Sequence, residues 1–373
     1  MHISAKFDSG NIEVVSATST DDIQLRVRAD AGDQHYQWFH FRVSGVRGQP
    51  LRARIVNAAG ASYPKAWQGY QAAASYDRQT WFRTQTSVVD GELVIEHTAE
   101  HDSIWFAYFA PYSLQRHHDL IARTALDDRV SHQVLGTTLD GRDVDLLVLG
   151  EPGDNKPVLW IIARQHPGES MAEWFMEGLL ERLTDRDDAL AGALLQNAVI
   201  YAVPNMNPDG SFRGHLRCNA VGANLNREWH DPSLQRSPEV KVVRDRMDQT
   251  GVHFCLDVHG DEELPYNFIA GPDPMPSLTQ RQTDLQAQFL EAFVRATPDF
   301  QTTHGYPIDK PNMSMCTQQC AHRYGALALT LEMPFKDNAD RPDPQVGWSP
   351  GRAKALGASV LHPIVHVLDG IIG

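Results

Sequence analysis

The chain has 373 residues, enough for two cores, since single domains commonly run ~100–200 residues. It is 42% hydrophobic and 21% charged with a net charge of −14, an ordinary globular composition whose acidity argues against a nucleic-acid partner. The N-terminus has no basic segment followed by an apolar stretch, and no run of ~18 apolar residues follows, so neither a secretory signal nor a membrane span is expected. The four cysteines (Cys218, Cys255, Cys316, Cys320) are sparse and irregularly spaced, which fits free thiols in a reducing, cytoplasmic setting.

Residues 1–112 read as all-β. Ile23, Leu25 and Val27 alternate with polar residues, as do Phe39, Phe41 and Val43; Leu93, Ile95 and the stretch from Ile104 to Phe109 continue the pattern. Period-2 alternation broken by Gly, Asp, Asn and Ser clusters predicts half-buried antiparallel strands and hence a sandwich. Trp38, Trp67, Trp81 and Trp105 are expected to fill its core or the contact with the next domain. Ser113 is a plausible N-cap for a helix through Leu120, Ile121 and Ala122. His117 and His118 on that helix are expected at its surface.

From 113 to 373 the pattern becomes α/β. Continuous apolar runs at Asp145–Leu149, Val158–Ala163, 198–203, 252–258 and 326–331 suit strands covered on both faces. Met171, Trp174, Phe175, Leu179 and Leu183 recur at helical spacing, and helices are also expected over Leu285–Val294 and Ala353–Leu368. The predicted architecture is an α/β catalytic domain with a mixed, mostly parallel sheet flanked by helices, preceded by an all-β sandwich.

The chemistry sits at the ends of the predicted strands. His166-Pro167-Gly168-Glu169 directly follows Val158–Ala163, and H-x-x-E offers a metal an imidazole and a carboxylate at a short fixed separation. Catalytic zinc takes three protein ligands and an open position. His259, after the 252–258 run, supplies the third, and Glu332, after 326–331, is a candidate general base lying outside the ligand set. In open α/β sheets ligands gather beyond the carboxyl ends of strands, so all four can reach one crevice. A second cluster holds Arg217, Asn226 and Arg227. Asn226 and Arg227 can grip a terminal carboxylate from two sides, and Arg217 can stabilise the oxyanion formed when water attacks a carbonyl. Cys316-x-x-x-Cys320 with His322 is a weaker metal pattern, for which small buried thiols are the simpler reading.

These pieces resemble the zinc metallocarboxypeptidases of the pancreatic-carboxypeptidase family, and more closely the cytosolic carboxypeptidase subfamily in its bacterial form. The matching motifs are His166–Glu169, Asn207-Pro208-Asp209-Gly210, Arg217-Cys218-Asn219, Asn224 to Trp229, Asp257-Val258-His259-Gly260 and Leu331-Glu332. The resemblance implies one zinc per chain held by His166, Glu169 and His259, Glu332 as catalytic glutamate, Arg217 polarising the carbonyl, and Asn226 with Arg227 binding the substrate carboxylate. It further implies a peptide or protein C-terminus as substrate. Asn207–Gly210 is expected to be a structural turn. The stretch Met315–Cys320 carries no Arg or Lys, so a preference for acidic C-terminal residues is not implied. Two other functions fit parts of the pattern. An N-acyl amino acid deacylase of the aspartoacylase type would share H-x-x-E and the later His. A non-catalytic peptide-binding protein would have lost a ligand or the glutamate.

Overall fold

The computed structural model describes residues 1–153, 156–308 and 310–372. The first third forms two five-stranded sheets from β1 (His2–Ser4), β2 (Glu13–Ser19), β3 (Asp22–Arg26), β4 (His40–Ser44), β5 (Pro50–Ile55), β6 (Ala73–Ser75), β7 (Phe82–Arg83), β8 (Gln85–Val89), β9 (Glu92–Thr98) and β10 (Ser103–Ala107). One sheet has the order β1-β4-β10-β6-β7 and the other β2-β3-β5-β9-β8. The alternating apolar residues drive this arrangement. Phe41, Val43, Ile104 and Phe106 of the first sheet and Ile23, Leu25, Leu93 and Ile95 of the second enter one buried cluster. Trp38, Trp67 and Trp81 are buried as expected, while Trp105 is half-buried beneath the Arg42 guanidinium.

After Tyr112 the chain enters α1 (Leu114–Thr124), where the Ser113 hydroxyl accepts the Arg116 amide hydrogen at 3.2 Å as an N-cap. There follow β11 (Val130–Thr137), β12 (Asp143–Leu149), β13 (Val158–Ala163), α2 (Met171–Thr184), α3 (Ala189–Asn197), β14 (Val199–Val203) and α4 (Pro208–Arg213). The remainder comprises α5 (Pro238–Thr250), β15 (Phe254–Val258), β16 (Phe268–Ala270), α6 (Gln280–Ala296), α7 (Cys316–Tyr324), β17 (Leu327–Glu332), α8 (Pro350–Ser359) and α9 (Leu361–Val367). The strands form one mixed sheet in the order β11-β12-β14-β13-β15-β17-β16, whose neighbours β14, β13, β15 and β17 run parallel.

The continuous apolar runs have a direct explanation. Alternate residues of each central strand go to different cores. Leu159, Ile161, Leu256 and Leu329 join a cluster with α2, α6, α8 and α9, whereas Trp160, Ile162, Cys255 and Ala328 join one with α5 and α7. Helices α2 and α8 cross so closely that a Cβ on Gly178 would lie 2.0 Å from the Lys354 carbonyl oxygen. The first cluster also contains the core of the all-β region, so the two parts share continuous packing. Among the described residues no helix is long and apolar enough to cross a membrane.

His117 departs from expectation. His118 is exposed, but His117 is buried, because positions 117, 120, 121 and 124 form the inward stripe of α1. Its Nδ1 lies 2.6 Å from Glu173 Oε1 and its Nε2 3.0 Å from Asp145 Oδ2. Burial disfavours the imidazolium, yet the two carboxylates outweigh it and raise the pKa to about 9. An unfolded histidine titrates near ~6.5. The ionised contact therefore stabilises the fold fully below pH ~6.5 and loses that contribution as pH rises through about 9. His117→Gln is expected to cost on the order of 3 kcal/mol at pH 6 in urea denaturation, and much less at pH ~9.5. An equal cost at both pH values would mean that the histidine is neutral in the fold.

Candidate metal centre

The turn after β13 is held by an unusual residue. Arg164 is fully buried and adopts a left-handed backbone (φ 60°), a conformation that costs a non-glycine residue ~1–3 kcal/mol. Its guanidinium offsets that cost by donating to Glu173 Oε2 (2.7 Å), the Tyr112 carbonyl (2.8 Å) and the Pro167 carbonyl (3.0 Å). The chain then reverses, and His166 and Glu169 lie just beyond the strand end. His259 follows β15, with its amide donating to the Leu331 carbonyl at 2.8 Å, and Glu332 ends β17.

Three of these side chains converge. Glu169 Oε1 lies 2.7 Å from His166 Nδ1, and Glu169 Oε2 lies 2.7 Å from His259 Nδ1. All candidate ligand atoms fall within 4.8 Å of one another. Outside them, His166 Nε2 meets Asn224 Oδ1 at 3.0 Å and His259 Nε2 meets Asp257 Oδ2 at 2.9 Å. Oxygen acceptors at both Nε2 atoms leave both Nδ1 atoms facing the Glu169 carboxylate, where their lone pairs would serve a shared cation. Gln165 in turn donates to Asp257 at 2.7 Å and accepts from the Trp229 indole at 2.8 Å, which fixes this outer layer.

The electrostatics agree. Burial, with Arg217 adding to it, lowers the His166 pKa to about 4 and keeps that ring neutral. Burial opposes charge on His259 too, but Asp257 and Glu169 hold its pKa well above the usual range, so it sits in a field that favours positive charge. Two imidazoles and a carboxylate in such a field suit a divalent cation, and zinc in particular accepts this ligand set.

His166, Glu169, Arg217, Asn226, Arg227 and Glu332 line one cavity of about 1330 Å³. Every site residue expected from sequence thus lies in this cavity or, for His259, against Glu169 behind it. Glu332 Oε2 is buried without a hydrogen-bond partner among the described residues. Burial pushes its carboxyl well above the ordinary carboxylate range; His259 opposes this, and Glu169, Asp261 and Glu262 reinforce it. Arg217 and Arg227 form no ion pair with a carboxylate among the described residues, so surface pairing does not account for them. The Arg227 guanidinium donates to the Asn226 carbonyl at 2.7 Å, and Asn226 Oδ1 accepts the Cys316 amide at 2.9 Å, which locks the turn against α7.

Of three further lining residues, Tyr63 and Glu262 carry no expectation from sequence, and Tyr306 carries a match to the mobile tyrosine of secreted relatives too loose to assign it a role. Tyr63 reaches in from the all-β domain, and its ring lies 5.9 Å from the Arg217 guanidinium carbon. Glu262 is buried in the wall, and the Tyr306 hydroxyl donates to Asp261 Oδ2 at 2.6 Å. Asp257 had a signal in sequence, since a residue two before His259 shares its strand face. Asn207 caps α4 by accepting the Gly210 amide at 3.1 Å, in line with a structural turn. The weaker cysteine pattern does not assemble with His322, which bonds Ser277 at the surface; Cys316 and Cys320 instead lie beside Cys255 in the core.

Comparisons with known proteins agree with this geometry. A family described as cytosolic carboxypeptidase N-terminal domain matches residues 3–109, and one described as zinc carboxypeptidase matches 119–269. The chain is 45% identical to a metallo-carboxypeptidase from Pseudomonas aeruginosa, solved in complex with (2-guanidinoethylmercapto)succinic acid, with a TM-score of 0.97 over 100% of both chains. The chain belongs to the zinc carboxypeptidase family. A metallo-carboxypeptidase from Burkholderia cenocepacia is similarly close, at 48% identity and a TM-score of 0.96 over 98% of each chain. An uncharacterized protein of Zymomonas mobilis is 49% identical over 99% of this chain and 97% of its own. Mouse cytosolic carboxypeptidase 4 is 30% identical over 74% of this chain, which spans 29% of that longer protein. By family the chain is a metallocarboxypeptidase, a hydrolase acting on peptide bonds, with an all-β domain ahead of its catalytic domain.

Proposed function

We propose that this metallocarboxypeptidase uses one zinc, held by His166, Glu169 and His259, to hydrolyse the C-terminal peptide or isopeptide bond of peptides or proteins. The observation that carries the reading is the shared cavity. His166 and Glu169 line it, with His259 against Glu169 behind them, beside a glutamate whose buried Oε2 has no hydrogen-bond partner among the described residues and two guanidinium groups that form no ion pair with a carboxylate among those residues. Zinc, when bound, acidifies a water and polarises the scissile carbonyl. Glu332 then accepts the proton of the attacking water and hands it to the departing amine. Arg217 donates to the oxygen on which negative charge develops. Asn226 and Arg227 hold the free carboxylate of the terminal residue. We place the domain boundary between Tyr112 and Ser113, where the chain leaves the β-sheets and caps α1, and we assign the protein to the cytoplasm on its four free buried cysteines and its cytosolic relatives.

A panel of peptides with free C-termini, assayed beside N-acyl amino acids, tests the activity. Release of single C-terminal residues is the expected result. Turnover of the acyl amino acids alone would make the protein a deacylase. No turnover of either by zinc-loaded protein would make it a binding protein. Two guanidinium groups in the cavity favour the first outcome, because a peptide C-terminus adds a carboxylate to a carbonyl that must be polarised.

A further inference from the structure

The loop that carries Arg217 is fastened by the all-β domain. Asp30 is buried, and its carboxylate accepts three successive backbone amides: Leu216 to Oδ1 at 2.7 Å, and Arg217 and Cys218 to Oδ2 at 2.7 and 2.8 Å. Consecutive amides pointing at one anion form a nest, which a carboxylate fills better than any neutral group. Around it, the Ala31 amide donates to His215 Nε2 at 3.1 Å and Asn11 Nδ2 to the Gly214 carbonyl at 2.8 Å. The Ser9 amide donates to the Phe212 carbonyl at 2.9 Å. Gly32 packs so tightly on the same loop that a Cβ there would lie 2.8 Å from the Val221 carbonyl oxygen. Among the described residues the Asp30 carboxylate bonds these three amides and none of His166, Glu169 and His259, so it serves the loop.

We infer that Asp30 is a positioning residue for hydrolysis, acting through Arg217: the all-β domain sets the backbone from which that arginine reaches the reacting carbonyl. This rests on the role given to Arg217 above. The arginine side chain stands over Tyr63 and makes no other described contact with a partner that could hold it. Its placement therefore depends on its backbone, and the Asp30 carboxylate holds that backbone at the Arg217 amide and at the amides on both sides.

Asp30→Asn tests the idea with almost no change of shape. Whichever way the amide is turned, its NH2 faces at least one backbone N–H, so donor meets donor. Misplacing a catalytic donor by a fraction of an ångström is expected to lower kcat about tenfold with KM changed less than about twofold. Zinc content, by elemental analysis, should match the wild type. The deciding comparison is a double-mutant cycle on a chromogenic C-terminal substrate, read under single-turnover conditions with wild type, Asp30→Asn, Arg217→Ala and the double variant. Once Arg217 is absent, Asp30→Asn should change the rate by less than about twofold. An equal loss in both backgrounds, or a wild-type kcat for Asp30→Asn, overturns the inference. Should Asp30→Asn not be recovered folded, Asp30→Glu keeps the charge, displaces it by one methylene and is judged by the same cycle. If Arg217→Ala alone retains full kcat, the role given to Arg217 fails and the inference falls with it. If Arg217→Ala is impaired but the cycle is additive, only the inference fails.

Discussion

Glu332→Gln is expected to leave zinc content unchanged while kcat falls by about 10²–10⁴, the range attributable to general acid–base catalysis. The two side chains have nearly the same shape, so the cavity is preserved. The difference is chemical: an amide cannot take a proton from water at neutral pH. Glu332 lies outside the three-donor cluster, which is why metal retention and activity should separate. Its environment fits the task. One carboxylate oxygen is buried without a hydrogen-bond partner among the described residues, and burial together with three nearby acids raises its affinity for a proton. A carboxylate in that state gains more from accepting a proton than an exposed one does. Metal analysis beside steady-state rates checks both halves. Near-normal turnover with zinc bound would remove Glu332 from the mechanism and leave the attacking water without an assigned base.

The sequence disclosed the parts of this site that lie on regular elements. H-x-x-E, His259 and Glu332 each follow an apolar run, and the runs were legible because both faces of the central strands are buried. Three kinds of feature stayed hidden. Edge strands β11 and β16 give no clear periodic signal, the first because it is half-exposed and broken by a register shift near Gly136, the second because it is three residues long. That adjacent helical positions such as His117 and His118 do not converge on one ion says nothing about burial, and the spacing of His117 from Leu120, Ile121 and Thr124 marks the buried stripe. Its two acidic partners are 28 and 56 residues away, and nothing local announces them. Asp30 and Tyr63 leave no trace in the sequence for a third reason. Asp30 recognises backbone amides, which every residue possesses, across 186 to 188 positions of chain. No side-chain pattern can signal such a contact, so the part played by the all-β domain emerges only from coordinates.

Arg227→Ala is expected to raise KM for substrates with a free C-terminus by about 10–100-fold, corresponding to the ~1.5–3 kcal/mol of hydrogen bonds to a charged group. kcat should change less, because the carboxylate stays bound throughout the reaction and the loss falls equally on ground and transition states. The cavity's charge balance explains the size of the effect. Burial lowers the Arg227 pKa and the nearby Arg217 lowers it further, so two like charges face the same space, and neither forms an ion pair with a carboxylate among the described residues. A substrate carboxylate relieves that repulsion as well as forming hydrogen bonds, and its arrival is favoured twice. C-terminally amidated peptides offer no such relief, so wild type and Arg227→Ala should handle them alike. The measurement is the ratio of kcat/KM for each free-acid and amide pair in the two proteins. A collapse of that ratio in the variant identifies Arg227 as the carboxylate clamp, whereas an equal loss on both substrates would refute it and shift the anion-binding role to Arg217.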